Sequence, residues 1–158
     1  MPANRDDLNV VLLKSFRIIY GSVRKHFRQV QQSCGISGSQ LWILHELRNA
    51  RGIGVSELAD KLAIHQSTCS QLVEKLVGSG YVTKARLTTD QRRVGLSIST
   101  LGKRVLARAP GPAEGVLAEA IAELRKAEAQ TLCKDLVLLI NHLDVKDESA
   151  GQTHLSDL

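Results

Sequence analysis

The chain is poor in the features that announce enzymes, membrane proteins and disulfide scaffolds. There is no Walker loop, no HExxH, no G-x-S-x-G and no paired acid and base beyond scattered histidines, so neither catalysis nor a cofactor is expected. A GxG occurs at Gly52-Ile53-Gly54, but no strand pattern precedes it, which removes the nucleotide-binding reading. No apolar run approaches a membrane span, and residues 1–10 lack the basic-then-apolar order of an export signal; a cytoplasmic protein without a membrane partner is expected. Cysteine is limited to Cys34, Cys69 and Cys133, an odd and widely spaced set that fits reduced thiols better than a disulfide framework. Only five aromatic side chains occur in 158 residues, which makes their placement informative.

What the chain does have is helical periodicity and unevenly placed positive charge. Formal net charge is +5, but residues 1–98 hold 14 Lys/Arg against 7 Asp/Glu, whereas residues 99–158 hold 7 against 9. The basic surplus therefore lies in the first part of the chain, where an anionic partner would be met.

Leu8, Leu12, Phe16, Ile19, Val23, Phe27 and Val30 step by four and three, which predicts a long first helix over 6–33. Val11, Leu13 and Ile18 lie off that stripe, more apolar surface than one small domain covers. Ser37 and Gln40 form a capping-box pair that opens a second helix through Leu41, Leu44 and Leu47. After the 51–54 turn, VSELADKL places Val55, Leu58, Ala59 and Leu62 on one face of a two-turn helix. Following Ala63-Ile64-His65, QSTCSQLVEKLVGSG repeats the spacing with Cys69, Leu72, Val73, Leu76 and Val77, and Gly78 and Gly80 end it. Its other side carries Ser67, Ser70, Gln71 and Glu74, with Thr68 and Lys75 on the shoulders.

Two alternating segments come next, Val82–Leu87 and Val94–Ser99, with Val94, Leu96 and Ile98 able to face the core of a two-stranded ribbon. The intervening Thr88-Thr89-Asp90-Gln91-Arg92-Arg93 is expected to be a polar, mobile tip, with Asp90 placed to hold the Arg92 guanidinium in one direction. Helix, turn, helix and arginine-tipped hairpin in this order form a winged helix-turn-helix. Its second helix suits the major groove and its arginine the narrow minor groove. Lys75, Lys84, Arg86, Arg92, Arg93, Lys103 and Arg104 form the expected phosphate-neutralising surface.

Beyond the hairpin, Thr100 is expected to cap a helix through Leu101, Val105 and Leu106, which Pro110 and Pro112 interrupt. Helical pattern resumes at Val116–Leu124 and again with Leu132, Leu136, Leu139, Ile140 and Leu143 on one face. The excess apolar stripe of 6–33 and 100–143 predicts interleaving with a second copy. Such a two-fold homodimer matches a pseudo-palindromic operator with half-sites about one helical turn, roughly 10 bp, apart. Residues 144–158 have few large apolar groups and are expected to form a loose tail.

From Ser37 to Leu124 the chain resembles the MarR family of bacterial transcription regulators. The resemblance rests on Gln40-x-x-x-Leu44, SELADKL, the ST-x-S opening of the second motif helix, Gly80-Tyr81-Val82, and Asp90-x-Arg92 followed by Gly95-Leu96-Ser97-Ile98-Ser99. It implies a mainly α fold with a small β-hairpin wing, a DNA-binding lobe over 37–99, and dimerisation helices over 6–33 and 100–143. The residues it assigns to double-stranded DNA are Ser67, Thr68, Ser70 and Gln71 in the major groove and Arg92 in the minor groove. Gln71 stands where many relatives carry arginine, and Cys69 where valine is common. Lys75, Lys84, Arg86, Asp90 and Arg93 complete the expected DNA set.

The family implication extends to release from DNA by a small aromatic acid or phenol held between the dimerisation helices and the DNA-binding lobe, so a ligand-released repressor is expected. Arg17, Tyr20, Trp42 and His45 are the candidate ligand residues, with Phe16 and Arg24 nearby. Two alternatives stand beside this one: a redox-responsive regulator using Cys34 in an exposed polar turn, and a winged-helix protein–protein adaptor. Cys69 and Cys133 fall on apolar faces and are expected to be core residues. Cys34, His45 and Glu46 could approach one another as metal ligands, but residues 100–125 contain no histidine to complete a site, and no metal is expected.

Overall fold

The computed structural model describes residues 4–87 and 90–158, with the backbone alone at 90–92. Seven α-helices and one two-stranded antiparallel sheet appear among these residues. A 30-residue helix, α1 (Arg5–Cys34), leads into α2 (Gly38–Asn49), α3 (Val55–Leu62) and α4 (Gln66–Gly78). Strands β1 (Val82–Leu87) and β2 (Asp90–Ile98) follow, then α5 (Thr100–Leu106), α6 (Val116–Ala122) and α7 (Lys126–Asn141). No helix is long and apolar enough to cross a membrane among the described residues.

The capping box opens α2: the Gln40 N–H donates to Ser37 Oγ at 3.3 Å and the Ser37 N–H donates to Gln40 Oε1 at 3.0 Å. Two otherwise orphaned N–H groups are thereby satisfied. From that start α2 buries Leu41, Ile43, Leu44 and Leu47 completely, and Leu58 of α3 and Leu76 of α4 close over them. A third short extended segment joins the wing where Ile53 bridges Leu96; the Leu96 N–H donates to the Ile53 carbonyl at 2.9 Å. This ties the turn before α3 to the hairpin and so joins the wing to the helices.

Several expectations are corrected. Ser99, not Thr100, caps α5, its Oγ accepting from the Gly102 N–H at 2.9 Å while its hydroxyl donates to the Gly80 carbonyl at 2.6 Å. Of the three residues expected to face inward from β2, Leu96 is fully buried and Ile98 half-buried, but Val94 is exposed. Val94 pairs with Arg86 in the same unbroken register as Leu96 with Lys84 and Ile98 with Val82, so it shares their face of the ribbon but lies nearer the tip, and the register shifts only beyond it, between Arg86 and Leu87. Strand β2 begins at Asp90, within the 88–93 stretch expected to be a loop.

The largest departure is the tail. Instead of a loose segment, residues past Asp144 form two 3-10 turns, Glu148–Gln152 and Leu155–Asp157, folded back on the lobe. His154 is 6% exposed, packed edge-on against the rings of Phe27 and Trp42 at centroid distances of 5.3 and 5.5 Å. The Ser39 N–H, one of the free donors at the start of α2, donates to Ser156 Oγ at 3.0 Å.

Two imidazoles are buried in this fold, His154 and His26, and burial lowers the pKa of both below the ordinary 6.5. For His26 the Pro112 carbonyl and Glu119 offset part of the effect, and for His154 Asp157 does. The fold favours the neutral form of both, whereas the unfolded chain takes up protons as pH falls below about 6.5, so acid favours unfolding. Urea midpoints should hold level above neutrality and fall below about pH 6.5. Replacing both histidines with glutamine should flatten that fall.

Candidate nucleic-acid interface

Helix α4 is set on the lobe by a sharp connector. Ala63 adopts a left-handed conformation (φ 53°), its N–H bonding back to the Ala59 and Asp60 carbonyls, and Ile64 tucks into the core. The chain turns within three residues and α4 starts at Gln66. Cys69, Leu72, Val73 and Leu76 then pack inward, which fixes the rotation of the helix about its own axis. Ser67, Gln71, Glu74 and Lys75 are left exposed, and Thr68 and Ser70 half-exposed, along one outward face. Hydroxyl and amide groups at the opening turns of a protruding helix can donate to and accept from base edges.

The wing lies beside this face. Arg86 and Arg93 are exposed on its two strands, and Lys103, Arg104 and Arg108 are exposed on and just beyond α5. Lys84, expected to be a free phosphate ligand, is instead paired with Glu74 of α4, joining the wing to the exposed helix face. An exposed pair of this kind is worth at most about 1 kcal/mol and can be exchanged for a phosphate. The expected Asp90–Arg92 contact lies outside the described residues, as do Thr88 and Thr89.

Residues 35–93, spanning α2, the helix-turn-helix and most of the hairpin, match the sequence model described as MarR family. Over these residues the chain resembles the MarR family. Over 97 residues it is 21% identical to the HTH-type transcriptional repressor MdtR of Bacillus subtilis (strain 168), covering 61% of this chain and 63% of the repressor's length. The fold is similar to that of Sco3205, a MarR family transcriptional regulator from Streptomyces coelicolor solved in complex with DNA, with TM-score 0.59 and 21% identity over 92% of each chain. It is also similar to the transcriptional regulator BldR from Sulfolobus solfataricus, with TM-score 0.55 and 21% identity over 89% of this chain and all of that one.

Between α1 and the lobe the chain has an open cleft of 590 Å³ lined by Tyr20, Val23, Arg24, Phe27 and Arg28 of α1, Gly38 of α2, and Leu155 and Leu158 of the tail. Of the four expected ligand residues only Tyr20 reaches it, with the Arg24 guanidinium 5.5 Å from its ring centroid. Trp42 instead donates from Nε1 to Glu46 Oε1 at 3.1 Å and is covered by His154. His45 Nε2 sits 3.0 Å from Glu114 Oε1, and Arg17 is exposed on α1 away from the cleft lining. Arg28 escaped the sequence reading, although its spacing from Tyr20 and Arg24 by fours puts it on the same helical face. His45, Glu46 and Glu114 do converge, with ligand atoms within 4.8 Å of one another, but Glu46 also faces Trp42 and Lys61. Internal partners therefore occupy the donors.

Cys34 is 3% exposed, not at the surface as expected, and burial raises its thiol pKa, with Arg108 opposing. Cys69 is fully buried and its pKa is pushed up to about 11 by burial. Cys133, expected in the core, is exposed on α7. A thiol kept protonated and covered is a poor nucleophile, which removes the support for a Cys34 redox switch. Iodoacetamide at pH 7.5 should leave Cys34 and Cys69 unmodified in the native protein and label both after denaturation, as read by intact mass.

Proposed function

We propose that the chain is a MarR-family transcriptional regulator, a homodimer that reads double-stranded DNA with α4 and acts as a repressor. The observation that carries the reading is the outward face of α4, where Ser67, Thr68, Ser70, Gln71 and Lys75 are held by a buried opposite face and flanked by Arg86 and Arg93 of the wing. Exposed serine, threonine and glutamine at the start of a rigid helix offer short hydrogen-bonding groups at fixed positions, as base reading requires. Surrounding lysine and arginine supply the sequence-independent attraction to phosphate. Arg92, in the strand nearest the tip, is assigned to the minor groove on the same grounds. Repression is supported by the likeness to MdtR.

Dimerisation is supported by surface that a single chain leaves uncovered. Residues 4–22 are all exposed, Leu12 and Ile18 by 56% and 68%, and α7 has no buried residue although Leu132, Leu136, Leu139 and Ile140 recur along it. Each such side chain gains roughly 1.5–3 kcal/mol when fully buried. Packing these helices against their copies covers both stripes and sets two α4 helices on one side of a duplex.

The α1–lobe cleft supports a small aromatic acid or phenol as effector. Tyr20 and Phe27 offer ring faces, and Arg24 and Arg28 offer guanidinium groups for a carboxylate or phenolate. A panel of aromatic carboxylates should include one that lowers duplex affinity in the wild type and loses its effect in Arg24→Ala.

Selection from a random duplex library, followed by salt titration on the recovered site, tests DNA reading. Lys75→Ala and Arg86→Ala should weaken all duplexes alike and each reduce the salt slope by about 1, whereas Gln71→Ala should relax discrimination at one base pair by about 1–3 kcal/mol. A protein–protein adaptor would show neither effect. Leu12→Glu combined with Leu136→Glu should sediment as a monomer and lose preference for the palindromic site over a half-site.

A further inference from the structure

The segment after α7 carries an inference that rests on the DNA reading. Asp144, Asp147, Glu148 and Asp157 face a single Lys146 in its sequence, so it is acidic, and it lies on the basic lobe. It touches that lobe at the ends of the two helices that matter most. The Gln152 carbonyl accepts from the His65 N–H, at the N-cap of α4, at 3.4 Å. Ser156 Oγ accepts from the Ser39 N–H in the first turn of α2, and Asp157 shares a 280 Å³ cleft with Ser37 and Gln40 of α2 and with Thr68, Gln71 and Lys75 of α4. Three of those neighbours are residues assigned above to DNA.

The docking is specific yet shallow. His154 fills the notch between Phe27 and Trp42, its Nδ1 accepting from the Ser156 N–H at 3.1 Å, and the Asp157 N–H closes the turn on the His154 carbonyl at 2.8 Å. Gly38 makes room for it: a Cβ there would lie 2.9 Å from the Ser156 Cβ and 2.4 Å from Phe27. Yet His154 is the only buried residue of 144–158, and segments with so little burial open at low cost. A carboxylate held beside Gln71 and Lys75 repels the phosphates those residues would meet.

We propose that residues 144–158 are an intrachain brake on DNA binding, docked through His154 and Ser156 in the notch between α1 and α2 so that Asp157 stands beside the recognition helix. Release of the segment then uncovers a more basic surface and tightens the grip on duplex DNA. Because the same segment supplies Leu155 and Leu158 to the α1–lobe cleft, a cleft ligand and the docked segment are coupled through shared walls.

Two full-length variants test this, His154→Ala to loosen docking and Asp157→Asn to remove charge while keeping shape, with a chain ending at Leu143 as the third. Trp42 is the sole tryptophan and touches His154, so its emission reports docking without DNA. His154→Ala and the truncated chain should red-shift Trp42 and bind duplex about five-fold more tightly at low salt, with the difference shrinking as salt rises. Asp157→Asn should tighten binding with Trp42 emission unchanged. Adding a synthetic 144–158 peptide to the truncated chain should reverse both effects, which excludes misfolding as their source. Unchanged Trp42 emission in His154→Ala and the truncated chain overturns the docking. A shifted emission with duplex affinity equal to or weaker than wild type overturns the brake. If no chain, wild type included, binds any duplex, the DNA reading itself fails, and the Trp42 signal still tells that failure apart from absent docking.

Discussion

The geometry of the molecule turns on the seat of one aromatic ring. Phe27, near the end of α1, lies against two positions that carry no side chain: a Cβ on Gly38 would be 2.4 Å from it and one on Gly115 2.9 Å. It also meets His26 and His154 edge-on. The long helix, the start of α2, the entry to α6 and the folded-back tail therefore converge on a single contact. Because α1 is fixed to the lobe there, its direction relative to α4 is decided there too. In a dimer built on α1 and α7, that angle sets the separation of two reading helices.

Around this junction the chain keeps polar groups satisfied by local pairs and leaves its outward positive charge largely unspent. Ser37 with Gln40 and Ser99 with Gly102 close the starts of α2 and α5, and the Ile53–Leu96 bridge fastens the wing. Arg86, Arg93, Lys103 and Arg104 remain exposed on the wing side. A lobe stabilised by apolar burial and caps, with these cations exposed, has their electrostatic attraction available for a polyanion. Among the described residues Lys84 is paired with Glu74 and Lys61 with Glu46, and the exposure of the Lys84–Glu74 pair makes it exchangeable.

Legibility from sequence followed the range of the interaction. The helix-turn-helix was readable residue by residue because its signals lie within a few positions: the Ser37/Gln40 box, the VSELADKL stripe, and the Cys69–Leu76 face of α4. The wing was readable in outline only. Alternation located both strands and put Val94 on the face of Leu96 and Ile98, but how far along the ribbon the core reaches, and where the register shifts between Arg86 and Leu87, depend on tertiary packing. Cys34 and Cys133 were read the wrong way round for a related reason. A polar neighbourhood in sequence said nothing of the core that closes over Cys34, nor an apolar stripe of the absence of any lid on Cys133 within one chain.

The amino-acid order by itself determined the secondary elements, the buried face of each motif helix and the basic surplus of the first 98 residues, since periodicity, capping and charge are properties of near neighbours. Only the folded chain decided which distant residues meet. It brought the tail's His154 between Phe27 and Trp42, set Leu155 and Leu158 with Tyr20 and Arg24 in one cleft, and paired Lys84 with Glu74. A single buried histidine in a polar segment has no periodicity to betray it. Its place depends on a notch whose walls come from two helices more than a hundred residues earlier, and that notch exists only once they have packed.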